Sequence, residues 1–177
     1  MIVVSDTSPL NYLVLIQHVE VLPALFGRVV APPAVLDELQ HPGTPAAVRA
    51  WAAAPPGWLE VRAPASIDPG LRLGPGEAEA ISLARELKAD AVLIDERKAL
   101  TVARQCGLFV TGTLGVLEIA AEKGLIVLAE AIAALRRTSF RVSDEILDEV
   151  LRRDRKRALG PGRTQAQMPP GLERPSQ

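Results

Sequence analysis

Short, continuously apolar runs alternate with helix-like segments along this chain, and this alternation most constrains its fold. The runs predict strands at 2–4, 28–31 (apolar from Val29), 91–94 and 108–110, and a weaker one at 58–61. A strand that is apolar at every position, rather than at every second one, is typically buried on both faces. Such strands separated by helices predict an α/β fold. We expect a three-layer α/β/α sandwich with a mostly parallel central sheet of four to five strands and 58–61 at its edge.

The composition supports one domain of this kind, at residues 1–159. The chain has 177 residues, of which 48% are apolar, enough for a sizeable core. Only 3% are aromatic, so the core has to be built of Val, Ile, Leu and Ala, which suits a parallel sheet covered by helices. From Gly160 onward Pro, Gly and Gln dominate and apolar residues are few, which predicts a disordered tail at 160–177.

The composition also excludes several classes of protein. Cys106 is the only cysteine, so an intrachain disulfide is excluded and a reducing cytosol fits. The N-terminus has no basic leader before an apolar core, and no uncharged apolar run reaches the roughly 20 residues that span a bilayer. We therefore expect a soluble, cytoplasmic protein. The net charge is −1, so nucleic-acid contacts would have to come from local patches and metal.

The segment 74–99 carries two of the candidate functional residues. It is predicted to form a helix followed by a buried strand, and Asp95 comes directly after that strand. Within the helix, Glu77 shares the apolar stripe of Ile81 at helical spacing, where an unpaired acid is costly. Glu79 is predicted to lie on the opposite side, in solvent. The periodicity therefore selects Glu77 over Glu79.

Two further acids come from the first forty residues. Asp6 follows the first strand, and Glu38 borders the apolar face of the helix that begins at Pro32-Pro33. Asp37 lies on the solvent side of that helix. Because the carboxyl ends of parallel strands meet at one edge of the sheet, we expect four acids to converge there. They are Asp6, Glu38, Glu77 and Asp95.

Carboxylates in such proximity repel one another unless a cation lies among them. Hard divalent ions that prefer oxygen ligands, Mg²⁺ or Mn²⁺, suit this donor set. One or two such ions could bind a phosphodiester, activate a water and stabilise the leaving oxygen. Arg97 and Lys98 follow Asp95 closely and are placed to hold phosphates.

Each acid also has an ordinary structural interpretation. Asp6 could cap the helix after the first strand, and Asp95 could cap the helix that begins at Arg97. Glu77 could complement its helix dipole, and Glu38 could be a solvated helix residue. The convergence of all four favours a functional site over these separate explanations.

Other motifs have weaker functional interpretations. The segment TGTLG at 111–115 lacks the spacing of phosphate-binding loops, and we expect a strand-to-helix turn capped by Thr113. Its amides could still assist at the site. A phosphatase of the haloacid-dehalogenase type also starts with an Asp after the first strand, but it needs a second Asp two positions on, where this chain has Ser8. The sequence therefore disfavours that class. His18 and His41 lack metal-ligand spacing, and the basic run 152–157 is either a solvated helix end or an RNA contact.

In five segments that include the four acids, the chain resembles the PIN-domain ribonucleases, in particular the VapC-like toxins of prokaryotes (DUF3368-type PIN proteins). The matching segments extend from Ile2 to about Leu151, and their order and spacing make the resemblance specific. They are VVSDTSPL, APPAVLDEL, LGPGEAEAISLA, AVLIDERKA and VTGTLGVLEIAAEKGLI.

The resemblance implies a Mg²⁺- or Mn²⁺-dependent endoribonuclease. On this sequence it assigns both catalysis and metal binding to Asp6, Glu38, Glu77 and Asp95, although many PIN proteins have Asp in place of Glu77. The supporting or substrate-binding candidates are Thr7, Ser8, Arg97, Lys98, Thr111 and Thr113.

The resemblance also implies partners. It suggests the toxin of a type II toxin–antitoxin pair that cuts RNA, forms a homodimer and is inhibited by a small antitoxin protein. Two alternatives remain open. One is a catalytically silent PIN-like binding module, and the other is a housekeeping RNA or DNA nuclease of the same fold.

Overall fold

The central element is a five-stranded sheet in which every neighbouring pair is parallel. A computed structural model describes residues 1–160 of the chain. The sheet order is β3-β2-β1-β4-β5, so the chain reverses its direction of winding between β1 and β4. The strands are β1 (Ile2–Ser5), β2 (Arg28–Ala31), β3 (Leu59–Val61), β4 (Ala91–Leu93) and β5 (Val110–Thr111). The predicted α/β fold is confirmed, with β3 at the edge.

Nine α-helices of residues 1–160 cover both faces of this sheet. They are α1 (Thr7–Leu15), α2 (Val21–Phe26), α3 (Pro33–Leu39), α4 (Ala46–Ala53), α5 (Pro75–Leu87), α6 (Arg97–Gln105), α7 (Thr113–Glu122), α8 (Leu128–Leu135) and α9 (Asp144–Leu159). A short 3-10 turn at Pro69–Leu71 precedes α5. Helix α6 begins at Arg97, as predicted.

Two separate cores explain why the strands are apolar at every position. Val3 belongs to a core that α1, α7 and α8 help to form, whereas its neighbour Val4 packs with Ile81 of α5 in the core on the other face. Both valines are fully buried. The three-layer arrangement therefore follows from successive strand residues pointing to opposite faces.

Strand bounds differ from the sequence prediction by one residue in β1, β3 and β4, and more clearly in β5. The last strand begins at Val110 and not at Leu108, because the Leu108 amide donates to the Ala103 carbonyl (3.1 Å) and so belongs to the end of α6. Gly107 has a positive φ of 77° at this helix end.

Helix α9 continues to Leu159 and contains the whole basic run 152–157. Its basic run is paired with acids: Arg153 bonds to Glu118 of α7 at 2.8 Å, and Arg152 pairs with Glu149 at 2.7 Å. These pairs favour continuation of the helix and fit the prediction of a solvated helix end. The N-cap of α9 is Ser143, and its hydroxyl accepts from the Ile146 amide at 3.4 Å.

The predicted tail at 160–177 lies, apart from Gly160, outside the described residues. Within residues 1–160, the helices are all too short or too polar to cross a membrane.

The two-core packing predicts a contrast between two leucines. Leu13 is fully buried on α1, whereas Leu125 is largely exposed after α7. We expect Leu13→Ala to lower the free energy of unfolding by about 2–5 kcal/mol, because it leaves a cavity. The matched change Leu125→Ala should alter it by about 0.5 kcal/mol or less. Urea denaturation of both variants measures the difference, and equal effects would contradict the packing described here.

Candidate active site

Two of the predicted acids lie where adjacent central strands end. The Asp6 amide donates to the carbonyl of Leu93, the last residue of β4, at 2.9 Å, which places the ends of β1 and β4 side by side. Asp95 follows Leu93 by two residues. This edge is the point where the strand order reverses, the usual position of binding sites in open α/β sheets.

Asp6 is the most deeply buried of the four acids. Its residue is only 3% exposed. It occupies the N-cap position of α1 but makes no side-chain capping bond, so the capping interpretation of Asp6 is wrong. Across residues 1–160, its Oδ1 is the single buried side-chain oxygen or nitrogen that has no hydrogen-bond partner. Such an atom is costly unless something outside the chain satisfies it.

The electrostatic surroundings of Asp6 contain the other three acids. Burial raises the pKa of Asp6 to about 7, and the neighbouring Thr7 amide opposes this shift. The negative charges of Glu77, Glu38 and Asp95 raise this pKa further. The fold therefore brings the four predicted acids close enough to interact around the Asp6 carboxyl.

Glu38 is held by one backbone amide and one hydroxyl. Its Oε1 accepts from the Gly76 amide at 2.8 Å, and its Oε2 accepts from the Thr7 hydroxyl. A Cβ on Gly76 would lie 2.6 Å from Glu38 Oε2, so this approach requires glycine. Thr7, predicted as a small polar residue beside the first acid, thus orients a second acid.

Asp95 is held by both donors of Thr113. Its Oδ1 accepts from the Thr113 amide at 2.7 Å, and its Oδ2 accepts from the Thr113 hydroxyl at 2.6 Å. Burial raises the pKa of Asp95, and these two bonds oppose the shift. A Cβ on Gly112 would lie 2.5 Å from Asp95 Oδ1. The carboxylate therefore lies against the first turn of α7, where amides favour negative charge.

Two capping predictions around Asp95 are wrong. The residue that caps α6 is Glu96, whose carboxylate accepts from the Ala99 amide at 2.8 Å. The N-cap of α7 is Gly112, and Thr113 is the first residue of the helix. The Thr113 side chain is directed to Asp95, a contact between residues 18 positions apart that local sequence rules do not describe.

Glu77 lies near the other acids, as a site residue would, and also bonds to the start of its own helix, as a structural residue would. It is half-buried, and burial raises its pKa, as do the nearby charges of Glu96 and Glu38. Its Oε2 accepts from the Gly74 amide at 3.1 Å, a contact within the first turn of α5 that lowers this pKa. Lys98 also lowers the pKa of Glu77.

Glu79 is the site-adjacent residue that sequence reasoning missed. It was predicted to be solvated, but it is half-buried, and its Oε2 accepts from the Ala34 amide of α3 at 3.0 Å. The helical stripe of α5 indicates which side faces the sheet and does not show that α3 packs beside it. The one available signal was Pro32-Pro33, which leaves the first turn of α3 without a side-chain cap of its own.

The remaining candidates lie around this edge. Thr111 ends β5, and Ser8 is half-buried in the first turn of α1. Arg97 and Lys98 are exposed at the start of α6. The Lys98 ammonium donates to the Arg72 carbonyl at 2.6 Å.

The donor chemistry fits a divalent cation, with Asp6 Oδ1 as its open ligand. An all-carboxylate set is typical of Mg²⁺ and Mn²⁺ sites. Within residues 1–160, however, no three His, Cys, Asp or Glu side chains lie close enough to hold one ion. In this structure, backbone amides and threonine hydroxyls donate hydrogen bonds to the carboxylates of Glu38, Glu77 and Asp95. Ligation by the full set would require rearrangement of these side chains.

Comparison with known proteins identifies the family. The family model DUF3368, described as a PIN domain, matches residues 2–156. The chain belongs to the PIN-domain family. PIN domains are generally nucleases that use divalent metal ions.

The solved structures include a similar protein, a PilT N-terminus domain protein from the hyperthermophilic archaeon Sulfolobus solfataricus P2. It is 15% identical to this chain, and the alignment covers 81% of this chain and 100% of that one, with a TM-score of 0.44. No curated protein matches the chain.

The raised pKa of Asp6 predicts a pH-dependent effect of Asp6→Asn in this PIN-domain protein. The native carboxyl titrates near 7 and the unfolded one near 3.8. Below pH 3.8 the Asp6 carboxyl is protonated in both the native and the unfolded state, so the difference in its pKa does not change the free energy of unfolding. Stability is lost as the pH rises towards 7, because the unfolded state releases its proton first.

Asn does not titrate, so Asp6→Asn should raise the free energy of unfolding by up to about 4 kcal/mol at pH 8 and by little at pH 4. Urea denaturation in EDTA at both pH values measures this gain. A gain of the same size at pH 4 and pH 8 would show that Asp6 is not a buried, titrating group.

Proposed function

We propose that this PIN-domain protein is a metal-dependent endoribonuclease that hydrolyses RNA phosphodiester bonds. The observation that carries the proposal is the buried, unpartnered Oδ1 of Asp6, with three more carboxylates close enough to raise its pKa. A nucleic-acid backbone would be repelled by this cluster unless a cation were present. The choice of RNA over DNA is supported by the resemblance to PIN-domain ribonucleases.

The proposed mechanism assigns a task to each group. A bound Mg²⁺ or Mn²⁺ would supply charge compensation and Lewis acidity for attack by water in line at phosphorus. Asp6 would be the anchoring ligand, since its oxygen is free of hydrogen bonds. Thr7 orients Glu38 and Thr113 orients Asp95. Ligand orientation of this kind is what supporting hydrogen bonds contribute at metal sites.

One further acid and two basic residues complete the assignment. Glu77 would ligate from the first turn of α5, with Lys98 close enough to affect its charge. Arg97 and Lys98 are exposed near Asp95 and would hold the phosphates that flank the scissile bond.

The proposal predicts the loss of RNA cleavage in two variants. Asp6→Asn and Asp95→Asn should each reduce Mg²⁺- or Mn²⁺-dependent cleavage by ~100-fold or more, since changes that only disturb ligand support already cost 10–100-fold. The matched control is Asp37→Asn, an exposed acid next to Glu38, which should cleave like the wild type. Purified proteins are compared on single-stranded and structured RNA. Metal-dependent cleavage by the Asp6→Asn, Asp95→Asn double variant would refute the assignment.

A catalytically silent binding module is the second candidate function. It is favoured because, among residues 1–160, no three His, Cys, Asp or Glu side chains lie close enough together to hold one metal ion. Titration of Mn²⁺ into the purified wild type discriminates the two. Binding that is lost in Asp6→Asn supports the nuclease. No binding, together with no cleavage of either RNA, supports the module.

We further propose that the nuclease is the toxin of a type II toxin–antitoxin pair, a homodimer controlled by a small antitoxin protein. This assignment is supported by the VapC-like order of the segments quoted above. A housekeeping RNA or DNA nuclease would use the same four acids, so the active site alone does not separate the two roles.

A toxin should arrest growth when it is produced without its antitoxin. Induction of the wild type in a bacterial host is expected to stop colony formation, whereas Asp6→Asn should not, and Asp37→Asn should be as toxic as the wild type. Colony counts after induction measure this. Normal growth with a wild type that cleaves RNA in vitro would favour the housekeeping nuclease.

A further inference from the structure

The N-cap residues of helices α3 and α5 have no side chain that could accept from the first turn of the helix. These residues are Pro32 and Gly74, and a proline without an N–H follows in each case. The first amides able to donate are therefore those of Ala34 and Gly76. Such amides need an acceptor from elsewhere.

Each of these amides is satisfied by a glutamate of the other helix. Gly76 of α5 donates to Glu38 of α3 at 2.8 Å, and Ala34 of α3 donates to Glu79 of α5 at 3.0 Å. We call these two bonds the reciprocal cap. Both carboxylates also lie at the positive end of the partner helix. The reciprocal cap thus joins α3 and α5 at two points, and each bond links the first turn of one helix to a later turn of the other.

The two glutamates of the reciprocal cap have different second contacts. Glu38 also accepts from the Thr7 hydroxyl and lies close enough to Asp6 to raise its pKa. Glu79 is absent from the charges that act on Asp6 and faces the start of α3 instead. The contact of Glu79 with the Ala34 amide connects it to the helix that carries Glu38.

We propose that Glu79 is a positioning residue that fixes α3 against α5 and thereby holds Glu38 on the Gly76 amide. The proposal deepens the proposed function, on which its consequence for metal binding rests. If Glu79 is removed, α3 loses one of the two bonds of the reciprocal cap, the one made by its first turn. The Glu38 carboxylate then has a wider range of orientations relative to Asp6.

The test compares three variants of the full chain. Glu79→Ala should weaken Mn²⁺ binding by about 10-fold, a typical effect of losing an outer hydrogen bond at a metal site. Glu79→Gln keeps a carbonyl acceptor and should stay within about threefold of the wild type, since a neutral bond is roughly half as strong as a charged one. The matched control is Glu86→Ala, which removes an acid of the last turn of α5 that accepts from the Ala65 amide at 2.7 Å. It should leave Mn²⁺ affinity unchanged.

A second readout uses the metal-free protein. Hydrogen exchange of the Gly76 amide should speed up in Glu79→Ala although its own acceptor, Glu38, is intact. The comparison with Glu86→Ala removes any effect of general destabilisation.

Two results would overturn the proposal. One is Gly76 exchange in Glu79→Ala no faster than in Glu86→Ala. The other is unchanged Mn²⁺ affinity in a folded but less stable Glu79→Ala. If the wild type binds no Mn²⁺, the proposed function fails, and the exchange of Gly76 still decides whether Glu79 positions Glu38.

Discussion

Repulsion among four carboxylates at one edge of the sheet is the constraint on which the rest of the site depends. Asp6 also bears the cost of burial, which is the largest cause that raises its pKa to about 7, and the charges of Glu77, Glu38 and Asp95 raise it further. The chain offsets this repulsion with backbone amides and hydroxyls. The amides of Gly76, Gly74 and Thr113 donate to the carboxylates of Glu38, Glu77 and Asp95. These amides lie at helix starts, where they have no acceptor within the helix backbone, so the bonds satisfy donors and stabilise negative charge at the same time.

The close approaches in the site depend on two glycines and two prolines. Gly76 and Gly112 leave room for Glu38 and Asp95 at the first turns of α5 and α7. Prolines at the start of α3 and α5 leave amides that receive acids from the other helix. The edge that carries the four acids and the packing of α3 on α5 thus share the Glu38–Gly76 contact.

Local patterns were sufficient for most of the fold. Continuous apolar runs placed the strands because successive residues fill two cores, as Val3 and Val4 do. They placed the start of β5 wrongly at Leu108, because the Leu108 amide donates to the Ala103 carbonyl at the end of α6 and not to a neighbouring strand. They also failed for Glu79, because helical periodicity describes one helix and contains no information about its neighbour. The Asp95–Thr113 contact joins two strand ends that only the sheet order makes adjacent.

The sequence by itself determined the fold class, the family resemblance and the four acids that meet at the carboxyl edge, because strand burial and strand order follow from short-range patterns. Only the tertiary structure decided how these acids are held. Asp6 caps nothing and keeps a free oxygen, Asp95 turns to Thr113, and Glu79 serves α3. Each of these outcomes depends on which helix start lies nearest in space. That proximity is set by packing between segments distant in the chain.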